Sequence, residues 1–465
     1  MKRAIVFLSV FAGLLFGCAD VRVPEYHHPE APAKSAWSRS PAPPVSATEA
    51  ISPQWWAQFG DPYLDSLVAK AIAGNVDLKV LAARITVANA QIAEARAGAQ
   101  PTVNIAAGSA GQKTNGLAYS KQFAVGTQIS WEPDIWGQFE KGVQGQTAEF
   151  HATEADWRAG YLQIVADVSS TYFQILELDE QIDEQQLTLS KSEQILAIYQ
   201  TMRSNGLKSD TEVDTQQAEN YRLSKDLLEL RRSRDVTENA LASLLGVPAG
   251  EFKLPPARLR DRVRVPAVPA GLPLDLLGRR PDVVAAEFRV LEAHDLMGQA
   301  RLAQLPTVSL TGQAGTASFA LSDLFKAFTF GLMPTVNIPL LNPGVRAHAK
   351  TTEAQIKVAE ETYRSTVIAA YEEVENALVD LQSHRAQEED LQKEVEKRQA
   401  VSAQTEAKLE IGVVSQLEVL DSQRFLLTAQ LELLASHEQA LSDTVTLYKA
   451  LGGGWASVEV ANAGR

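Results

Sequence analysis

Ala95-Arg96-Ala97-Gly98-Ala99-Gln100-Pro101-Thr102-Val103 returns, at an offset of 205, as Ala300-Arg301-Leu302-Ala303-Gln304-Leu305-Pro306-Thr307-Val308. An Ala-Arg pair, four residues and then Pro-Thr-Val stand in both. Proline has no backbone N–H and cannot continue a helical ladder, so each copy marks a helix end. Beyond each proline the period changes. Val103, Ile105, Ala107 and Ser109 alternate with small or polar residues, and so do Val308, Leu310 and Gly312; that is the two-residue repeat of a strand with one apolar face.

The repetition extends outward from this pair. Gly206, Ser209, Glu212-Val213 and Gln217 recur as Gly412, Ser415, Glu418-Val419 and Gln423, and Leu245-Gly246 recurs as Leu451-Gly452. Landmarks holding register over about 150 residues mark a duplication. Each copy has one order of elements. A helix (63–98, then 281–305) runs into a strand (102–112, then 307–317). A polar turn leads to a second strand (121–131, then 328–338), followed by two long helices (137–203 and 209–245, then 345–410 and 415–450). The first repeat is expected over 55–250 and the second over 281–455, joined by a connector over 251–280 and followed by a tail over 456–465.

The long helices carry a strict seven-residue repeat. Val168, Ile175, Ile182, Leu189 and Leu196 form one seam, and Val413, Leu420, Leu427, Leu434, Leu441 and Tyr448 another. Such a repeat is a coiled-coil seam rather than a globular stripe. Proline is absent from 137 to 202, and at 1.5 Å per residue that stretch approaches ~100 Å. The strands are about ten residues long, enough to cross a bilayer when tilted in a barrel. Four strands cannot close alone, because the smallest barrels need about eight, and an open sheet in lipid leaves backbone groups unpaired. Two chains would make a barrel filled by its own side chains. Three would give twelve strands with a lumen, and twelve helices as a tube beneath. The fold class expected is therefore mainly α with a transmembrane β-barrel portion, assembled as a homotrimer.

The beginning of the chain points to a compartment. Lys2-Arg3 precede an apolar stretch from Ala4 to Phe16, as in a signal peptide (1–17), and Leu15-Phe16-Gly17-Cys18 holds the chain's single cysteine. A small residue before that cysteine resembles a bacterial lipobox, which implies lipidation of Cys18. Ala19 follows where an inner-membrane retention signal would put Asp, so the resemblance points to the outer membrane. A Pro/Ala/Ser-rich segment (18–54) would tether the anchor. The formal charge of −14 argues against a nucleic-acid partner. One His27-His28 pair without a third ligand makes no metal site, and no Walker-type phosphate loop or hydrolase motif is present. No cofactor or enzymatic activity is expected.

Four motifs resemble those of the outer-membrane factors of tripartite efflux systems, in the lipid-anchored, TolC-like branch. They are Trp55-Trp56-Ala57-Gln58-Phe59-Gly60-Asp61-Pro62, Trp131-Glu132-Pro133-Asp134-Ile135-Trp136-Gly137, Leu276-Leu277-Gly278-Arg279-Arg280-Pro281-Asp282 with Ala285-Ala286-Glu287, and Leu451-Gly452-Gly453-Gly454-Trp455. In order and at spacing they span nearly the whole mature chain. The resemblance implies an exit duct that conducts small toxic molecules such as antibiotics across periplasm and outer membrane. Its partners would be a periplasmic adaptor and an inner-membrane pump. It also implies docking at two helical tips, on Gly206, Leu207 and Ser209 and on Gly412, Val413 and Ser415. Leu417, Asp421 and Arg424 match the family's channel gate; spacings of four and three put them on one helix face. Docking competes with plain turn-capping as the reason for the tip residues, and the gate competes with a solvated Asp-Arg pair. The rival functions are the exit duct of a type I protein secretion system and a structural periplasmic coiled-coil lipoprotein.

Overall fold

Each half of the chain contributes two strands and a helical hairpin, in the same order. The computed structural model describes residues 21, 23–39, 51–113, 119–268, 276–326, 328–339 and 341–455, with backbone alone for 276 and 277. The expected signal peptide, Cys18, most of the first polar turn and the tail lie outside these residues. The first half runs through α1 (Pro62–Gly74), α2 (Val76–Ala97), β1 (Thr102–Gln112), β2 (Ser120–Trp131), α3 (Gln138–Ser204) and α4 (Asp210–Leu244). Two short helices, α5 (Leu259–Arg262) and α6 (Leu276–Arg279), lie between the halves. The second half has α7 (Pro281–Leu302), β3 (Thr307–Ser318), β4 (Phe328–Asn337), α8 (Pro343–Glu410) and α9 (Gln416–Ala450).

The helix expected over 63–98 is two helices, broken at Asn75. The cause is a distant contact. A Cβ on Gly74 would lie 2.3 Å from the Leu245 carbonyl oxygen, and Gly246 turns away at φ +72°. Asn75 fills the break: its Nδ2 donates to the Leu244 carbonyl (2.9 Å), and its Oδ1 accepts from the Leu78 N–H (3.0 Å) to cap α2. The other half is broken at the matching place: α6 ends at Arg279 and α7 opens at Pro281, with Gly452 against the Arg279 carbonyl as Gly246 is against that of Gly74.

The strands form one antiparallel sheet in the order β1-β2-β3-β4. Its register sorts the side chains onto two faces. Val103 faces Ile129, Trp131 faces Leu310, and Leu310 faces Pro334, so one face carries the apolar set, with Ile105, Phe328, Phe330 and Leu332. The opposite face carries Asn104, Gln128, Gln313 and a run of Ala and Gly. Near the helices, Trp131 and Trp136 donate their indole N–H to the carbonyls of Ala99 (3.0 Å) and Pro306 (2.6 Å). Tryptophan that is apolar in body and polar at the tip suits a membrane boundary.

The main core lies at mid-length of α3, where the ends of α4 and α9 meet it. Trp55 stacks on Tyr448 with ring centroids 5.0 Å apart, and Phe59 packs on Phe173 at the same distance. Asp61 caps α1 at the Tyr63 N–H (2.9 Å) and accepts from the Tyr172 hydroxyl (2.5 Å). Buried Arg280 donates to the carboxylates of Asp282 and Glu373 and to the carbonyls of Ala370 and Ala450. Gly452 lies against it at φ +85°, where a Cβ would come 2.9 Å from the Arg279 carbonyl oxygen. Three of the four family-like motifs thus serve this junction. Residues 23–39 lie along α7 and α8: Pro24 accepts from His294 Nε2 (2.9 Å), His28 meets Glu287 (3.2 Å), Lys34 holds Glu375, and Trp37 packs edge-on to Tyr371.

Candidate functional site

The two helical hairpins end in turns of one design. After α3 the chain reverses at Gly206 and after α8 at Gly412, both at φ +75°, a conformation that costs an L side chain about 1 kcal/mol or more. Leu207 N–H donates to the Met202 carbonyl and Val413 N–H to that of Lys408, each at 2.9 Å, the six-to-one bond of a Schellman turn. The returning helices then open with capping boxes. Ser209 Oγ accepts from the Glu212 N–H (3.3 Å) while the Glu212 carboxylate accepts from the Ser209 N–H (3.0 Å). Ser415 and Glu418 repeat it.

These bonds hold acids charged at the tips. Lys208, then the Ser209 N–H and hydroxyl, bring the Glu212 carboxyl down to about 2. The Ser415 N–H and hydroxyl lower Glu418. With the backbone satisfied, the side chain directly after each glycine points outward. Leu207 is 69 % exposed and Val413 67 %. Two rigid turns thus present one aliphatic side chain each beside fixed charge.

Leu417, Asp421 and Arg424 lie on the first turns of α9, on the side away from buried Val419, Leu420 and Leu427. Leu417 is exposed. Arg424 Nη1 is 3.6 Å from Asp421 Oδ1, and its Nε is 4.0 Å from Glu219 Oε1 on α4. Glu219 is itself held by Arg222 (2.6 Å), which also reaches Asp226 (3.0 Å). A ladder Asp421–Arg424–Glu219–Arg222–Asp226 therefore spans both returning helices beside a cavity of about 510 Å³, also lined by Gln185 and Phe425. Lys225 also reaches Asp226 (3.0 Å), so three carboxylates and three cations balance along the ladder.

Sequence reasoning assigned the gate to the second repeat alone and missed Glu219, Arg222 and Asp226. Their helical spacing of three and four was legible. Their alignment with Arg424 was not, because it depends on how α4 and α9 lie side by side. Among the described residues no group of three or more His, Cys, Asp or Glu could hold a metal ion.

Comparison with known proteins gives the same two-fold pattern. The outer membrane efflux protein family matches residues 67–247 and again 272–453; the two starts differ by 205 (272 − 67), the offset of the repeat. The antibiotic efflux pump outer membrane protein ArpC of Pseudomonas putida is 32 % identical, over 98 % of this chain and 96 % of its own length. The toluene efflux pump outer membrane protein TtgC, also of Pseudomonas putida, has the same identity and coverage. The pyoverdine export outer membrane protein OpmQ of Pseudomonas aeruginosa is 30 % identical over 87 % of this chain and 88 % of its own. The solved structure of the channel CusC superposes with a TM-score of 0.83 at 26 % identity, covering 93 % of this chain and 99 % of the other. With both halves matched and full-length relatives on either measure, this chain belongs to the outer membrane efflux protein family, as an outer-membrane channel of an efflux pump.

Proposed function

We propose that three copies of this chain form the exit duct of a tripartite pump that expels small toxic molecules, joined to an inner-membrane pump through a periplasmic adaptor. The observation that carries this is the sheet. It has four strands, pairs on one side only at β1 and β4, and leaves a whole face of Val, Ile, Leu and Phe uncovered. Unpaired edges are untenable in lipid, and three copies close them with twelve strands. The long helical hairpins then line up as twelve helices. Antibiotic, toluene and pyoverdine, the cargoes in the relatives' names, support a small-molecule load.

Each further assignment has its own support. Lipidation at Cys18 fits the way residues 23–39 run along α7 and α8, which ties an anchor to the body. Docking of the adaptor fits the exposed Leu207 and Val413 on turns set by Gly206, Ser209, Gly412 and Ser415. Gating fits Leu417, Asp421 and Arg424, which share one helix face and join a ladder of ion pairs, with three-fold symmetry turning Asp421 into a ring of carboxylates. Rings of charge in a pore attract counter-ions, here cations.

The test is reconstitution. Full-length protein extracted in detergent runs as a heat-modifiable trimer and conducts ions in planar bilayers. A strain lacking the gene accumulates dyes and antibiotics. A monomer without conductance, or a deletion that changes only protein secretion, overturns the reading.

A further inference from the structure

The apolar face of the sheet has an unusual counterpart. The four strands carry one ionisable side chain between them, Lys121, and it pairs opposite Gly111 on the apolar face at the end away from the helices. The other face holds no charge at all. Across it, at one level, the register aligns Asn104 with Gln128 and Gln128 with Gln313, and the last strand contributes Gly331. The row borders a cavity of about 540 Å³ on that side of the sheet. All three amides are exposed; the one side-chain bond among them is a long 3.4 Å contact from Gln128 Nε2 to Ser130 Oγ. The neighbouring row is small, Ala106, Gly126, Gly315 and Thr329. Gly315 has no room for a Cβ, which would come 2.7 Å from the Val125 carbonyl oxygen.

We propose that Asn104, Gln128 and Gln313 form an uncharged hydrogen-bonding collar inside the membrane duct, and that this collar makes the exit indifferent to the sign of the cargo's charge. The inference rests on the trimeric-duct reading, in which three amides from each of three chains make a ring of nine. A carboxamide both donates and accepts. It can therefore replace part of the hydration shell of an ammonium, a carboxylate or a hydroxyl without holding a counter-charge that would trap one of them. Fixed charges within low-dielectric walls sort ions strongly. Charged side chains are carried by the helices instead, Asp421 and its neighbours among them. Sorting by charge belongs to the tube, and the barrel passes what the tube admits.

Cys18 is the only cysteine, so single-cysteine probes are direct. Full-length Gln313→Cys and Gln128→Cys channels in planar bilayers are treated with a positively charged methanethiosulfonate, beside the parent and Leu332→Cys on the apolar face. The collar predicts that both amide-row variants lose roughly a third or more of their conductance and that their preference for cations drops at least ~2-fold, while parent and Leu332→Cys stay unchanged. Gln313→Lys gives a second route, with the same shift in reversal potential and no reagent. Overturning results are a reactive Leu332→Cys with a silent Gln313→Cys, or a Gln313→Lys channel with the parent's reversal potential. A parent that never conducts defeats the duct reading instead, and the collar with it.

Discussion

Arg424 stands between two acids, one on its own helix and one on the other hairpin, and this makes its role more than that of a surface pair. An exposed i,i+3 pair alone is worth a few tenths of a kcal/mol. Linked to Glu219 and Arg222, it joins the two hairpins beside the proposed gate. Asp421→Ala is expected to raise single-channel conductance and lower cation preference; an unchanged conductance would remove Asp421 from the gate. A second expectation concerns stability. Burial, and then the neighbouring Glu438 carboxylate, push Glu177 up to about 7. The folded protein thus holds a proton there that the unfolded chain releases above about 4.5, so stability falls as pH rises from about 4.5 to about 7. Gln181 Nε2 donates to its Oε1 at 2.7 Å, a bond that a glutamine would keep. Glu177→Gln should therefore stabilise the fold at pH 8, by at most ~3 kcal/mol per chain and with a higher unfolding temperature, and change little at pH 4.5. Equal effects at both pH values would contradict the assignment. The helix face shared by Leu417, Asp421 and Arg424 was legible in their spacing; a gating role for them came only from the family resemblance and stands as a proposal. Their partners on α4 were not legible, because nothing local in the chain says that Glu219 meets Arg424.

Among the elements, the tips join rigidity to exposure. The Schellman bonds and the capping boxes satisfy the backbone without help from Leu207 or Val413. Leu207→Ser with Val413→Ser should accordingly leave folding and conductance intact while lowering crosslinking to a co-expressed adaptor. Lost folding would mean that the apolar side chains serve the hairpin itself. Gly412→Val forces a branched side chain into positive φ and should cost at least ~1 kcal/mol per chain in denaturant unfolding; Gly331→Val, on a strand without that constraint, should cost less. The long helices, the strands and both turns were readable because their signals are local: heptads, alternation, a glycine followed three residues later by serine. The break at Asn75 was missed, although Gly74-Asn75 is a local stop-and-cap signal; what makes it necessary, the close approach of Gly74 to the Leu245 carbonyl, lies some 170 residues away.

For the whole molecule, the duplication has a mechanical meaning. Each repeat gives one β-hairpin to the sheet and one helical hairpin to the tube, and the two hairpins in the sheet meet through β2 and β3. The motifs most characteristic of the family, around Trp55, Arg280 and Gly452, pack the junction where these parts meet, so they identify the architecture rather than its chemistry. What remains open in one chain is the pair of sheet edges, β1 and β4, which in the proposed trimer further copies of the chain close. Native mass spectrometry of the detergent-solubilised, full-length protein tests that claim most directly. Closed edges give one dominant species of three chains, which collapses to single chains only when the fold is destroyed; a stable folded monomer or dimer under the same conditions rules the trimer out.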